Sequence, residues 1–453
     1  MKRIAFILLI FSAVTSVQAQ SWTLETCINY AIEHNIAIKQ IELQKENAAI
    51  DLNTAKMSRL PDLSASVGQE WGFGYTSDRS NLNSSGDRSN MNFSLGSSMP
   101  LFTGFRIPNE IERNKLEWQA AVQSLEKAKE DVALNIASLF LQALFNKEML
   151  KVAQEQWNLS QAQVEKTQIL VSSGKVPQSQ LYDIEAQVAK DEVSVIEARN
   201  NVALALLDLA QNLELEPETL FDIQAPEISD ILAQSVGGLQ PAQVIFDHAV
   251  NNKPVIKEQQ YKVESAERAL NIAKSGYYPN LSLNMGYRTG YSYTYGAKDY
   301  TNQQTGEITL ANPPFFTQFK DNGHEYIGLS LSIPIFNRFS VRNQVRSTRL
   351  NIDNRQWELE KARKTLYKEI QTAYQNAVAA YEKYLASEKS VRASTESFRY
   401  TQERYEIGKS SVFEFNEAKT KLIQSRSEQI RSEYDYVFRV KILDFYNGVE
   451  IRL

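Results

Sequence analysis

Cysteine occurs once, at Cys27, so the chain has no intrachain disulfide and no cysteine-rich metal site. Histidine is nearly as scarce. His34, His248 and His324 are far apart, and no HExxH, GxSxG, P-loop or Rossmann pattern occurs. The parts for metal-assisted or nucleophilic chemistry are missing as a set, so neither an enzyme nor a cofactor is expected. His34 and His248 fall at helix ends and read as solvated or capping, and His324 falls in a loop. Cys27 reads as a small buried apolar residue on a helix. Positive charge is not in excess: 49 Lys and Arg stand against 54 Asp and Glu, a net charge of -5. That excludes a general nucleic-acid binder. After residue 19 there is no run of about 20 apolar residues, so no helical membrane span is available.

Proline and glycine are absent from long stretches. Residues 109–176 hold no proline and only Gly174, and residues 335–453 hold no proline and only Gly408 and Gly448. Of the 18 glycines, 13 crowd into windows 68–104 and 276–328. The chain therefore reads as very long unbroken segments separated by two glycine-rich ones.

The N-terminus has the layout of an export signal: basic Lys2 and Arg3, apolar Ile4–Val14, and Val17-Gln18-Ala19 as the cleavage pattern. Cys27 is not the first mature residue, so no lipid anchor at Cys27 is expected.

The remainder is duplicated. Ala31–Lys39 aligns with Ala249–Lys257 at an offset of 218, which also carries Glu46 to Glu264 and Pro61 to Pro279. Past the glycine-rich windows the offset is 234, and Pro100-Leu-Phe102 meets Pro334-Ile-Phe336 while Gly174-Lys175 meets Gly408-Lys409. Each half then reads as helix, glycine-rich window, very long helix, glycine turn and long helix. Richness in Ala, Glu, Gln, Lys and Leu supports the helices, as does the spacing Val132, Ile136, Leu139, Phe140, Leu144. A helix from Ile107 to Ser173 runs about 100 Å and needs neighbours along its whole side.

The glycine-rich windows alternate with period two. Leu63, Ala65, Val67, Gln69, Trp71, Phe73 and Tyr75 face one way, with Asp62, Ser64, Ser66, Gly68, Glu70, Gly72 and Gly74 between them. Leu281, Leu283, Met285, Tyr287, Thr289, Tyr291, Tyr293 and Tyr295 repeat the pattern. The return strands carry Phe93, Leu95, Met99 and Leu101, then Ile327, Leu329, Leu331, Ile333 and Ile335. Strands of about 10 residues, apolar with aromatic ends on one face and small and polar on the other, match transmembrane β-barrels. A half-buried sheet in a soluble sandwich is the alternative. Thr76–Asn90 and Ala297–Glu325 read as long polar surface loops. Lipid-facing aromatics are then Trp71, Phe73, Tyr75, Phe93, Tyr287, Tyr291, Tyr293 and Tyr295. Four strands cannot close a barrel, and an open edge is not tolerated in lipid. Two copies give eight strands and three give twelve.

The layout resembles the TolC-type outer-membrane efflux proteins. The duplicated helix–hairpin–helix order carries the resemblance, with Trp22-Thr-Leu-Glu-Thr-Cys-Ile-Asn-Tyr-Ala31, Pro100-Leu-Phe-Thr-Gly104, Pro334-Ile-Phe-Asn337 and Arg404-Tyr-Glu-Ile-Gly408. It implies a homotrimer of mixed α and β class: a transmembrane β-barrel of twelve strands, four per chain, in the outer membrane, above a long-helix α-barrel of twelve helices in the periplasm. The divisions expected are a signal peptide at 1–19, a first helix at 20–60, a first hairpin at 61–104 and a long helix pair at 105–212. An equatorial linker at 213–245 follows, then a helix at 246–278, a second hairpin at 279–336 and a second helix pair with a C-terminal equatorial part at 337–453. The function implied is a passive exit duct serving an inner-membrane pump and a periplasmic adaptor, in contact with outer-membrane lipid and not with nucleic acid. A coiled-coil adaptor or stalk with soluble hairpins is the other reading.

By the same resemblance Gly174 and Gly408 mark the helix tips that close the periplasmic mouth, and Glu414 and Glu417 ring the constriction. Tyr405 matches the gate tyrosine. Ser410 stands where some relatives carry arginine, and Gln180 where they carry aspartate. A hydrogen bond from Tyr405 to Gln180 is therefore expected in place of a salt bridge.

Overall fold

The computed structural model describes residues 21–78, 81–85, 87–216, 221–225, 239–301 and 308–451. The export signal at 1–19 and much of the 213–245 linker lie outside the described residues.

Helices α1 (Leu24–His34), α2 (Ile36–Met57), α3 (Arg106–Ser172) and α4 (Gln178–Asn212) make up the first half. Helices α5 (Ala242–Asn252), α6 (Pro254–Ser275), α8 (Ser340–Glu406) and α9 (Val412–Tyr446) answer them in the second. The corresponding helices have equal lengths: 11, 22, 67 and 35 residues in each half. Their starts are displaced by the same 218 and then 234 residues that the sequence repeats show.

The chain forms two compact units. One comprises residues up to 45, 121–259 and 358–453; the other comprises 46–120 and 260–357.

In the first unit Leu24, Cys27 and Ala31 of α1 pack with Ile136, Phe140 and Leu144 of α3, Leu209 of α4, and Tyr436 and Val437 of α9. A second cluster repeats this with Ala242, Ile245 and Ala249 against Leu366, Ile370, Ala373 and Ala377 of α8. Cys27 thus occupies the place that Ile245 fills in the other half. It is fully buried, and burial pushes its thiol up to about 12. The short strands β1 (Ser21–Trp22) and β6 (Asp222–Ile223) pair in parallel beside this core.

The second unit is built on an antiparallel sheet in the order β10–β7–β5–β2. The strands are β2 (Ser64–Gly72), β5 (Arg88–Thr103), β7 (Asn280–Thr294) and β10 (His324–Ser332). The strand from each half that lies inside is joined by pairing of β5 with β7. Each passage from sheet to long helix turns through two left-handed residues: Gly104 (φ 60°) and Phe105 (φ 65°), then Arg338 (φ 54°) and Phe339 (φ 61°). A Cβ on Gly104 lies 2.7 Å from the carbonyl oxygen of Ser275, so no side chain fits there without a backbone shift.

Two expected loops contain regular structure. The stretch read as polar loop Thr76–Asn90 carries a small antiparallel ribbon, β3 (Tyr75–Asp78) with β4 (Asn81–Ser85), and the start of β5. Within Ala297–Glu325 lie β8 (Tyr300–Thr301), β9 (Ile308–Thr309) and the seven-residue helix α7 (Phe315–Asp321). The strands of the ribbon are mostly polar and show no apolar alternation, and β8, β9 and α7 are too short to show a period, which is why these segments read as loops.

Candidate functional site

The register of the sheet sorts its two faces. Antiparallel partners lie on the same face, and odd residues pair with odd: Val67 with Phe93, Leu95 with Tyr287, Leu329 with Leu283. On the even face hydroxyls and amides bond across strands, Ser66 to Ser94 (2.7 Å), Ser98 to Asn284 (3.0 Å) and Ser292 to Asn90 (2.8 Å). Tyr326 lies over Gly286, with the Arg288 guanidinium 4.9 Å from its ring centre. A bulge between Pro100 and Phe102 ends the parity, so Phe102, not Leu101, stands opposite Leu281.

The odd face is largely uncovered. Phe73 is 80% exposed, Trp71 59% and Ile327 75%. Tyr293 and Tyr295 stack edge to face with centroids 5.0 Å apart, and both are exposed. Tyr287 is half-buried. Tyr75 opens β3, and its side chain lies outside the described residues. Phe93 and Tyr291 differ from the expected open ring, because α7 folds over them. Phe315 sits 6.1 Å from Phe93 and 5.3 Å from Tyr291, and Phe319 sits 5.2 Å from Phe93.

The same segment closes a gap that sequence reasoning missed. Strand β10 begins pairing at His324 opposite Arg288, so β7 lacks a strand on that side from Gly290 onward. Side-chain amides stand in. Gln318 exchanges two bonds with the backbone of Ser292, both 2.9 Å, and Asn312 does the same with Thr294 at 2.7 and 3.0 Å. Asn322 donates to the carbonyl of Gly290 at 2.8 Å. Among the described residues the outer edges of β2 and β10 have no such cover, and each of these strands is hydrogen-bonded on one side only.

The other candidate region lies at the helix turns. Gly174 and Gly408 both adopt φ 72°, a left-handed value favouring glycine. In each turn the residue after the glycine donates back across the helix end: Lys175 to Leu170 (2.9 Å) and Lys409 to Arg404 (2.8 Å). After the second turn Ser411 caps α9. Glu414 N–H donates to its hydroxyl at 3.2 Å, and its own N–H donates to the Glu414 carboxylate at 3.3 Å. Ser410 also donates to that carboxylate, and this bond, with that from Ser411, holds Glu414 below the usual carboxylate range. Within one chain Glu414 is therefore a helix cap, and Glu417 is exposed further along the same helix.

Tyr405 does not reach Gln180. Among the described residues no hydrogen bond joins them; the Tyr405 ring stacks on Phe415 at 4.9 Å, and Phe398 lies 5.4 Å from Phe415. The aromatic neighbours Phe398 and Phe415 give the ring an apolar seat, which outcompetes a long-range polar contact.

A buried ion pair joins the halves elsewhere. Lys419 of α9 and Asp191 of α4 form an ion pair at 3.2 Å, with side chains 3% and 7% exposed. Its signal in the sequence is a lone lysine in the apolar series Phe415, Lys419, Leu422, spaced at one helical face.

An antiparallel four-stranded sheet with an apolar, exposed face, set in a duplicated chain of paired long helices, defines a class: a duplicated helical-hairpin protein with a hairpin sheet. The sequence pattern described as "outer membrane efflux protein" matches residues 27–213 and 245–448, and the chain belongs to that family. It is 21% identical over 410 residues to outer membrane protein TolC of Escherichia coli (strain K12), covering 89% of this chain and 77% of that protein. Among solved structures it superposes on CusC with a TM-score of 0.76 at 15% identity, covering 95% of this chain and 93% of that one. The Campylobacter jejuni CmeC outer membrane channel gives 0.73 at 18% identity, over 94% and 86%. The fold is thus TolC-like, and the family is one of channels, not of enzymes.

Proposed function

We propose that this chain is one third of an outer-membrane exit duct. Three copies complete a barrel of twelve strands, each chain giving four, and pair their long helices into a periplasmic tunnel. The observation that carries the reading is the sheet with two bare edges and an exposed apolar face. Such edges in lipid leave backbone groups unpaired at several kcal/mol each. Strand β10 of one chain runs antiparallel to β2 of the next, so a head-to-tail contact repeats and closes. The even face, with Ser, Asn and Gly, then lines the lumen.

The duct performs no chemistry and needs no cofactor. A periplasmic adaptor engages the helix turns, and an inner-membrane pump supplies the energy. The turns at Gly174 and Gly408 form the periplasmic gate. Three-fold symmetry brings Glu414 and Glu417 of each chain towards the axis, where carboxylates attract cations. Cys27 carries no lipid, which its burial in α1 supports. The test is to extract the protein from outer membranes in detergent, measure its mass and reconstitute it in planar bilayers. Ion-conducting trimers are expected; a water-soluble monomer without conductance removes the reading.

A further inference from the structure

Gly286 of β7 and Gly96 of β5 stand opposite each other on the even face of the sheet, and Tyr326 of β10 stands opposite Gly286 on the other side. The three residues make one row across three strands. Tyr326 lies along that row. A Cβ on Gly286 would lie 2.8 Å from its phenol oxygen and 3.0 Å from its Cε1, and one on Gly96 would lie 3.9 Å from the oxygen. The ring thus crosses β7 and points its hydroxyl towards β5. The two missing side chains are the trough that receives it. The Arg288 guanidinium, two residues along β7 on the same face, sits over the ring, 4.9 Å from its centre.

Strand pairing by itself does not call for this tyrosine, as the duplication shows. By the offsets of 218 and 234, Gly286 corresponds to Gly68 and Tyr326 to Asn92, and these two are again cross-strand partners. Among the described residues a Cβ on Gly68 meets nothing within 4 Å. The same glycine therefore leaves open space in the first half and takes a phenol in the second. Arg288 likewise corresponds to Glu70. Gly286 is also held by the backbone, because its Cβ would lie 2.6 Å from the Leu95 carbonyl oxygen. Gly96 is under no such demand. Among the described residues the phenol oxygen is the one heavy atom within 4 Å of a Cβ there, at ordinary contact distance.

We propose that Tyr326 sets the bore of the barrel, and that the Gly286–Gly96 trough stores its ring against the wall so that large solutes pass. The inference rests on the channel reading, with the even face as the lumen. Three copies place three such rings at one level of the barrel. Rings swung out from the wall at that level narrow the passage from three sides at once. The trough, and the Arg288 guanidinium over the ring, thus fix the size of solute that the barrel admits, independently of the gate at the helix turns.

The test uses the full-length protein in intact outer membranes, with Ser332→Cys as the reporter. Ser332 is on the even face of β10, six residues past Tyr326, about 20 Å along the strand. Maleimides of increasing size are added from outside, and buried Cys27 does not compete. Gly96→Leu fills the trough beneath the phenol. It is expected to lower labelling by the largest reagents several-fold while the small ones still react. Adding Tyr326→Ser to Gly96→Leu is expected to restore the wild-type size limit, and Tyr326→Ser alone to leave that limit unchanged. A block that persists in the double variant overturns the proposal. So does a limit that rises in Tyr326→Ser alone, or a Gly96→Leu protein that labels like the wild type. Nitration of Tyr326 in detergent-solubilised protein, read by peptide mass, checks the trough without the channel. Gly96→Leu is expected to raise it several-fold, and an unchanged rate overturns the proposal. Should Gly96→Leu fail to assemble, Arg288→Gln decides, since it takes the cation off the ring. Nitration is then expected to rise and large-reagent labelling to fall, and failure of either overturns the proposal. A Ser332→Cys protein that even the smallest reagent does not reach overturns the channel reading instead, and the nitration result stands apart from it.

Discussion

Gly104 and Arg338 stand at the same turn of the two halves, 234 residues apart, and both are left-handed, yet only one is glycine. The backbone conformation has been kept where the residue has not. Arg338 pays the Cβ clash of that conformation, about 1–2 kcal/mol. We expect Arg338→Gly to raise the denaturant midpoint of the detergent-solubilised protein, and Gly104→Ala to lower it further than the left-handed penalty alone, given Ser275 at 2.7 Å. Equal and small effects at both sites contradict this account of the turn.

The two faces of the sheet predict opposite tolerance to charge. Ile327→Lys or Leu329→Lys places an ammonium on the apolar face, at about 2–4 kcal/mol near the bilayer midplane. Membrane-inserted protein should fall sharply in both. Ser330→Lys, on the other face of the same strand, should insert normally. Membrane fractionation reads the difference, and equal loss from all three contradicts the face assignment.

Glu414 predicts a pH response at the second helix turn. Its folded carboxyl titrates below the ordinary 4.5, so its contribution to the cap is present above that value and is lost as pH falls through the lowered one. Amide exchange at residues 411–415 should quicken in that acid range. Glu414→Gln keeps the reciprocal hydrogen bonds and removes the titration, so its exchange should show no such step. A step that persists in the variant assigns the response to another group.

Cys27 should be inert in the folded protein. Its side chain has no exposed surface, and burial holds the thiol protonated with a pKa of about 12. A maleimide should label it only after unfolding, and intact mass should show no acyl chain. Labelling of the native protein contradicts the packing described for α1.

The sheet faces and the repeat were legible because both are periodic. Alternation at two residues survives in the register of Val67 with Phe93 and Leu95 with Tyr287, and the offsets of 218 and 234 reappear in the helix starts. Contacts with no period were not legible. Gln318 and Asn312 act as a substitute strand only because the chain folds them back onto β7. Lys419 finds Asp191 across 228 residues. Tyr405 was expected to reach a polar partner, but local rings at Phe398 and Phe415 seat it first.

The claim on which the rest depends is that β2 of one chain meets β10 of the next. Single cysteines placed in pairs along these strands, such as Ser66→Cys with Gly328→Cys and neighbouring registers, test it by oxidation in the intact membrane. Buried Cys27 does not compete. The account predicts that at least one register gives a covalent ladder that stops at three chains. Monomer alone in every register, or a ladder running past three, contradicts it.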